Sequence, residues 1–161
     1  MSAKKLTRSS AIAALYLVLT YSFPALAYGP IQFRLSEVMT ILAFIDPFYI
    51  LPLTLGCAIA NISSPFGLID VIVGSLASFL ALYSMSKVKN IYLASLFPAL
   101  FSILIGLEIL IISNEPINFF LVTAQIMFSE FVVVSIIGVS FYKLIENNTY
   151  VINILKAIPE V

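Results

Sequence analysis

The chain has no histidine and no tryptophan, a single cysteine, and charged residues at only 10% of its 161 positions. Without histidine there can be no Ser-His pair, no histidine-bearing zinc site and no HExxH protease helix. There is no glycine-rich phosphate loop, so ATP hydrolysis by that route is excluded. No signature of a paired-aspartate intramembrane enzyme is present either. Cys57 has no partner for an internal disulfide and reads as a small buried hydrophobe. Neither catalysis, nor a cofactor, nor a metal site is expected. Eight basic residues balance eight acidic ones, a formal net charge of +0 that argues against a nucleic-acid partner.

What is abundant is apolar surface. Hydrophobic residues make up 61% of the chain, and the mean hydropathy is +1.11. A soluble domain carries roughly a quarter charged residues, and this sequence could not hide its apolar area in water. The runs are continuous rather than alternating and are rich in Leu, Ile and Ala, which favours helices over a barrel. The expectation is an all-α integral membrane protein forming one domain over 1–161. Its six transmembrane helices fall at about 7–27, 33–45, 48–62, 67–86, 90–113 and 117–145. Asp46-Pro47 separates the second from the third, because the residue before proline is steered out of the α region. Ser63-Ser64-Pro65 with Gly67, and Asn114-Glu115-Pro116, mark later turns. Pro24 and Pro98 are expected to kink the first and fifth helices. The two short helices are expected to tilt or to be sheltered by neighbours.

An even number of spans puts both termini on one side. Lys4, Lys5, Arg8, Lys87, Lys89, Lys143 and Lys156 then share that side, which the positive-inside rule assigns to the cytoplasm. Arg34 alone lies opposite. A rival reading takes Lys4-Lys5, the apolar stretch and Ala25-Leu26-Ala27 as a signal peptide with its cleavage site; the length of the stretch favours a retained helix. In the tail, about 147–161, Tyr150, Val151, Ile154, Leu155 and Ile158 recur at helical spacing. That stripe predicts a short helix on the cytoplasmic membrane surface.

The informative residues are the polar ones inside apolar runs. Arg34 and Glu37 stand three apart, on one face if a helix begins there. Glu37, Asp70, Glu108 and Glu130 fall within or at the ends of predicted spans. A charge at the bilayer centre costs at least ~2.5–3.5 kcal/mol, so such residues point into the bundle and mark function. Four acids cannot all pair with one arginine. With Gln32, Asn61 and nearby aromatic rings they converge on the half of the bundle opposite the basic residues. Carboxylates, carboxamides and rings together suit a flat, hydrogen-bonding cation. The same acids could instead form the proton or cation path of an ion-coupled transporter or channel subunit.

Two stretches carry a resemblance. IQFRLSEVMTIL (31–42) and LGCAIANISSPFGLIDVIVGSLAS (55–78) resemble signatures of the QueT family of queuosine-precursor transporters. Ser129-Glu130 stands where relatives often show Gly-Glu, so Ser129 is a departure, as is the tail after about 146. The resemblance implies a multi-pass cell-membrane protein, the S component of an energy-coupling factor transporter. A transmembrane T component and two ATPase subunits would be its partners. The implied ligand is 7-aminomethyl-7-deazaguanine (preQ1), whose ring edge offers two adjacent donors to a carboxylate and whose arm is a cation. The expected site is a pocket of Gln32, Glu37, Asn61, Asp70, Glu108 and Glu130 under a lid of loops 28–34 and 63–67, with Arg34 orienting Glu37 or closing the loop. S components resembling this one dock the T component through an alanine pair on helix 1. Here Ser10 and Ala14, or the parallel pair Ser9 and Ala13, are the candidates, with serine replacing the first member.

Overall fold

The structure, a computed structural model, describes residues 3–29, 31–113 and 116–156. Asn114 and Glu115 of one expected turn, and Ile158 and Glu160 of the expected tail helix, lie outside the described residues. Every described element is helical: α1 Ala3–Ser22, α2 Pro24–Ala27, α3 Ile41–Ile45, α4 Ile50–Asn61, α5 Leu68–Lys87, α6 Ile91–Ala94, α7 Leu96–Phe101, α8 Ile103–Ile112, α9 Phe119–Glu130, α10 Val139–Ile145 and α11 Thr149–Leu155. Short 3₁₀ turns, Leu35–Thr40 and Pro47–Tyr49, lead into α3 and α4, and a π-helix, Phe131–Gly138, joins α9 to α10.

Three continuous helical runs are long and apolar enough to cross a membrane: Leu68–Lys87, Ile91–Ile112 and Phe119–Ile145. The 35–45 and 47–61 segments are apolar but shorter. They meet at Asp46, whose extended backbone breaks the helix and whose carboxylate caps the next turn by accepting from the Phe48 N–H at 2.8 Å. Pro24 acts differently from expectation. It ends α1 rather than kinking it: Phe23, just before the proline, leaves helical geometry, and Pro24 opens the separate turn α2. Near Pro98 the α-helical geometry is interrupted at Ser95 and Ser102. The π segment reaches across there, with Ser135 Oγ donating to the Ser95 carbonyl at 3.0 Å.

The core forms where α4 lies between α1 and α5, and it holds Tyr16, Ala43, Tyr49, Leu53, Cys57 and Leu82. A second cluster, with Ile41, Met85, Ile91, Val133 and Val134, joins the 35–45 segment to the π-helix. Small residues permit close crossings. A Cβ on Gly106 would overlap Thr123 Oγ1, and one on Gly56 would stand 3.0 Å from Tyr16 Cβ. Gly56 thereby lets α1 pack closely on α4.

At the basic end, Arg8 ties the first helix to the last. Its guanidinium donates to the backbone carbonyls of Ile154, Leu155 and Lys156 and to the Tyr49 hydroxyl, and it lies over the Phe48 and Tyr49 rings. A cation at a helix C-terminus also complements the peptide dipoles. The expected tail stripe divides between two surroundings: Val151 and Leu155 are half-buried, whereas Tyr150 and Ile154 are exposed.

The α8–α9 crossing gives a direct test. Gly106→Ala should destabilise the protein by about 1–3 kcal/mol through overpacking. Adding Thr123→Ala removes the nearest clashing atom and should recover part of that loss in thermal unfolding in detergent; strictly additive losses would count against the crossing.

Candidate functional site

Arg34 sits just outside the helix that the 31–42 stretch was expected to begin. Its backbone is extended, and the 3₁₀ turn starts one residue later at Leu35. The expected Arg34–Glu37 side-chain pairing on one helical face therefore does not form. The guanidinium reaches the ends of three other elements instead. Nε donates to the Ala27 carbonyl at 3.2 Å, one terminal nitrogen donates to Asn61 Oδ1 at 2.8 Å, and the other lies 3.6 Å from Asp70 Oδ2. It also stands over the Tyr28 ring, 5.6 Å from the centroid. Asn61 completes the link by donating Nδ2 to the Asp70 carbonyl oxygen at 3.0 Å. Asp70 is wholly buried in the first turn of α5, where the helix N-terminus favours negative charge.

Neighbouring contacts close this end. Tyr28 donates its hydroxyl to the Ala60 carbonyl at 2.6 Å; burial pushes that phenol up to about 12, so it remains a donor. Tyr21 reaches Ser63 Oγ at 3.1 Å, and Gly67, at φ 65, turns the chain into α5. Gln32 also has a left-handed backbone, at φ 50. For a residue other than glycine that conformation costs about 1–3 kcal/mol and needs support. Two hydrogen bonds supply it: the Gln32 N–H donates to the Gly29 carbonyl at 2.9 Å, and Ser129 Oγ donates to the Gln32 carbonyl at 3.1 Å.

Beneath these contacts lies a small cavity. Gln32, Arg34, Glu37 and Glu130 supply its charged and carboxamide groups; Thr40, Ser78 and Ser102 add hydroxyls, and Pro98, Ile105 and Ile126 are apolar. Glu37 is held from α1 by the Tyr16 hydroxyl, which donates to Oε1. Glu130 Oε2 is buried and has no hydrogen-bond partner. It sits at the last α-helical residue before the π-helix, a distortion that recurs beside functional groups.

Of the expected residues, Gln32, Arg34, Glu37 and Glu130 thus line one cavity. Asn61 and Asp70 stand behind its wall at Gly74, where an added Cβ would overlap Asn61 Nδ2 and lie 3.0 Å from Asp70 Oδ1. Glu108 is placed elsewhere. It lines a separate groove among Ile69, Val73, Leu76, Leu104, Leu107, Ile111 and Ile112, and both its oxygens lack hydrogen-bond partners. Ser10 and Ala14 are exposed on α1, whereas Ser9 and Ala13 are half-buried, with the Ala13 carbonyl 3.3 Å from where a Gly56 Cβ would be.

Sequence reasoning missed Tyr16, Ser78, Ser102 and the pinning role of Ser129. One signal was available. Gly74, Ala77, Ser78 and Ala81 are small residues at helical spacing on α5, and all four line the cavity.

Compared with known proteins, residues 6–147 match the family described as QueT transporter. A stretch of 73 residues is 47% identical to the queuosine precursor transporter QueT of Lactococcus lactis subsp. cremoris. That stretch spans 44% of this chain and 43% of the relative's length. No solved structure matches the chain.

The Arg34–Asp70 pair yields a prediction. Arg34→Ala leaves a buried carboxylate without its cation and should cost about 3–5 kcal/mol. Asp70→Asn in the same chain should restore a large share, read as non-additive shifts in the thermal midpoint. Additive shifts would show that the pair is not coupled.

Proposed function

The chain belongs to the QueT transporter family, a family of transporters rather than enzymes, and from that premise we propose that its cavity captures a queuosine precursor, 7-aminomethyl-7-deazaguanine. One observation carries the reading. Glu37 and Glu130 face a common cavity, while the one arginine beside them is already engaged by Asn61 and Asp70. Two acids are thereby left for a ligand that brings its own positive charge. The ring edge of this base, with adjacent N–H and NH₂ donors, suits a two-point bond to one carboxylate; its aminomethyl cation suits the other. Gln32 can both donate and accept at the carbonyl edge. Asn61 and Asp70 position Arg34, and Glu108 is not assigned to the ligand.

The six helical segments are read as six spans with both termini in the cytoplasm of the cell membrane. The support is the gathering of seven basic residues at one end, opposite the cavity. In this reading the chain is the S component of an energy-coupling factor transporter. A T component docks on the exposed Ser10–Ala14 face, and two ATPase subunits power release. The tail from about 147 lies on the cytoplasmic surface, held there by Arg8.

Calorimetry of the purified chain tests the ligand. Glu37→Ala or Glu130→Ala leaves buried ligand donors unpaired and should cost on the order of 2–3 kcal/mol, roughly 30- to 150-fold in affinity. Lys87→Ala, at the opposite end, should bind normally. Folded Glu37→Ala and Glu130→Ala proteins with unchanged affinity would refute the cavity assignment. The docking face has its own test. Ala14→Trp should reduce co-purification with the T component while leaving precursor binding intact, and undiminished co-purification would move the interface elsewhere.

A further inference from the structure

A second recess adjoins the acid-lined cavity. It is lined by Tyr28, Gly29, Gln32, Pro65, Phe66, Ile109, Val122 and Gln125. Gln32 is common to both chambers, so its side chain forms part of the partition between them. Their chemistry differs. The inner cavity holds carboxylates, whereas the recess offers two aromatic rings and two carboxamides and no charged side chain. Rings stack on a planar base, and carboxamides present both a donor and an acceptor to its edge. Neither needs the base to shed a counter-charge.

Gln32 does not hold its place by local preference. Its left-handed backbone is pinned from α9 by Ser129, the residue immediately before Glu130. The partition and the inner acid are therefore mechanically adjacent on one helix end. In the sequence, Ser129 was a departure from the pattern of relatives, and the structure shows what its hydroxyl touches.

We propose that the recess is a first docking subsite for a planar nitrogenous base, and that Gln32, positioned by Ser129, controls passage from it into the acid-lined cavity. This rests on the base-binding reading above and adds an order of events to it. The base docks first against the rings of Tyr28 and Phe66 with its edge on Gln125, then passes Gln32 to meet Glu37 and Glu130. Ser129 is a positioning residue: it touches the Gln32 backbone and is not required to contact the base.

Rapid mixing of the full-length protein with 7-aminomethyl-7-deazaguanine tests this. The chain has no tryptophan, so emission comes from its tyrosines, and Tyr28 lies within the recess. A two-step path requires an observed rate that saturates with ligand concentration. Phe66→Ala and Gln125→Ala should raise the half-saturating concentration about tenfold, the scale of one lost stacking or edge contact, without changing the limiting rate. Phe66→Tyr keeps a ring and should restore capture. Ser129→Ala should speed the limiting rate while leaving half-saturation unchanged, and Ser129→Thr should reverse that. Rates that rise linearly without saturating, or a half-saturation unmoved by both recess variants, overturn the proposal while calorimetric binding by the wild type upholds the cavity. Absence of any binding by the wild type overturns both.

Discussion

A guanidinium inside an apolar bundle must find acceptors within the protein, and Arg34 finds them on three separate elements. Ala27 ends α2, Asn61 ends α4 and Asp70 belongs to the first turn of α5. The polar end of the molecule is organised by that requirement. Leaving any partner unpaired would expose a buried charge or carboxamide to an environment without water, which is among the costlier defects a helical membrane protein can carry. The arginine therefore ties the chain just before Leu35 to the ends of α2 and α4 and the start of α5, and it does so while remaining part of the cavity wall.

The same constraint sets the placement of the acids. Asp70 balances Arg34 locally, so the two acids in the cavity are not neutralised by it in a direct pair. Glu37 enters from the 3₁₀ turn and is oriented by Tyr16, while Glu130 enters from the end of α9 just before the helix widens. A π turn adds one residue to the backbone loop and rotates the helix beyond it. It brings Val133 and Val134 onto the 35–45 segment and Ser135 onto Ser95. The irregular segments thus coincide with the polar groups, and the regular helices, chiefly α5, supply the small-residue wall that leaves the space.

The two ends of the bundle are chemically opposite. One end has a buried arginine enclosed by its partners; at the other, Arg8 clamps α11 against α1 and Tyr49. The difference lies in what surrounds each cation. Arg8 caps a helix C-terminus near the surface, where its carbonyls would otherwise meet water. Arg34 has no such exchange open to it, and its partners are correspondingly side chains and chain ends drawn from across the fold.

Much of this was written in the sequence because it depends on composition and local chemistry. Apolar runs of bilayer length, Asp46-Pro47, and Ser63-Ser64-Pro65 with Gly67 determined the helical class and the order of helical segments. Gln32, Arg34, Glu37 and Glu130 could be singled out because a polar group in an apolar run has few bland explanations. What no local rule could decide was which of these groups would meet. Whether Arg34 faced Glu37 or Asp70 depended on the helical turn starting at Leu35 rather than at about 33, which leaves Arg34 extended and its side chain on residues 27 and 36 positions away in sequence. Glu108 carries the same burial argument as Glu130, yet the two residues line different recesses. Helical periodicity specifies which residues share a face; only packing against neighbouring helices decides what that face looks at.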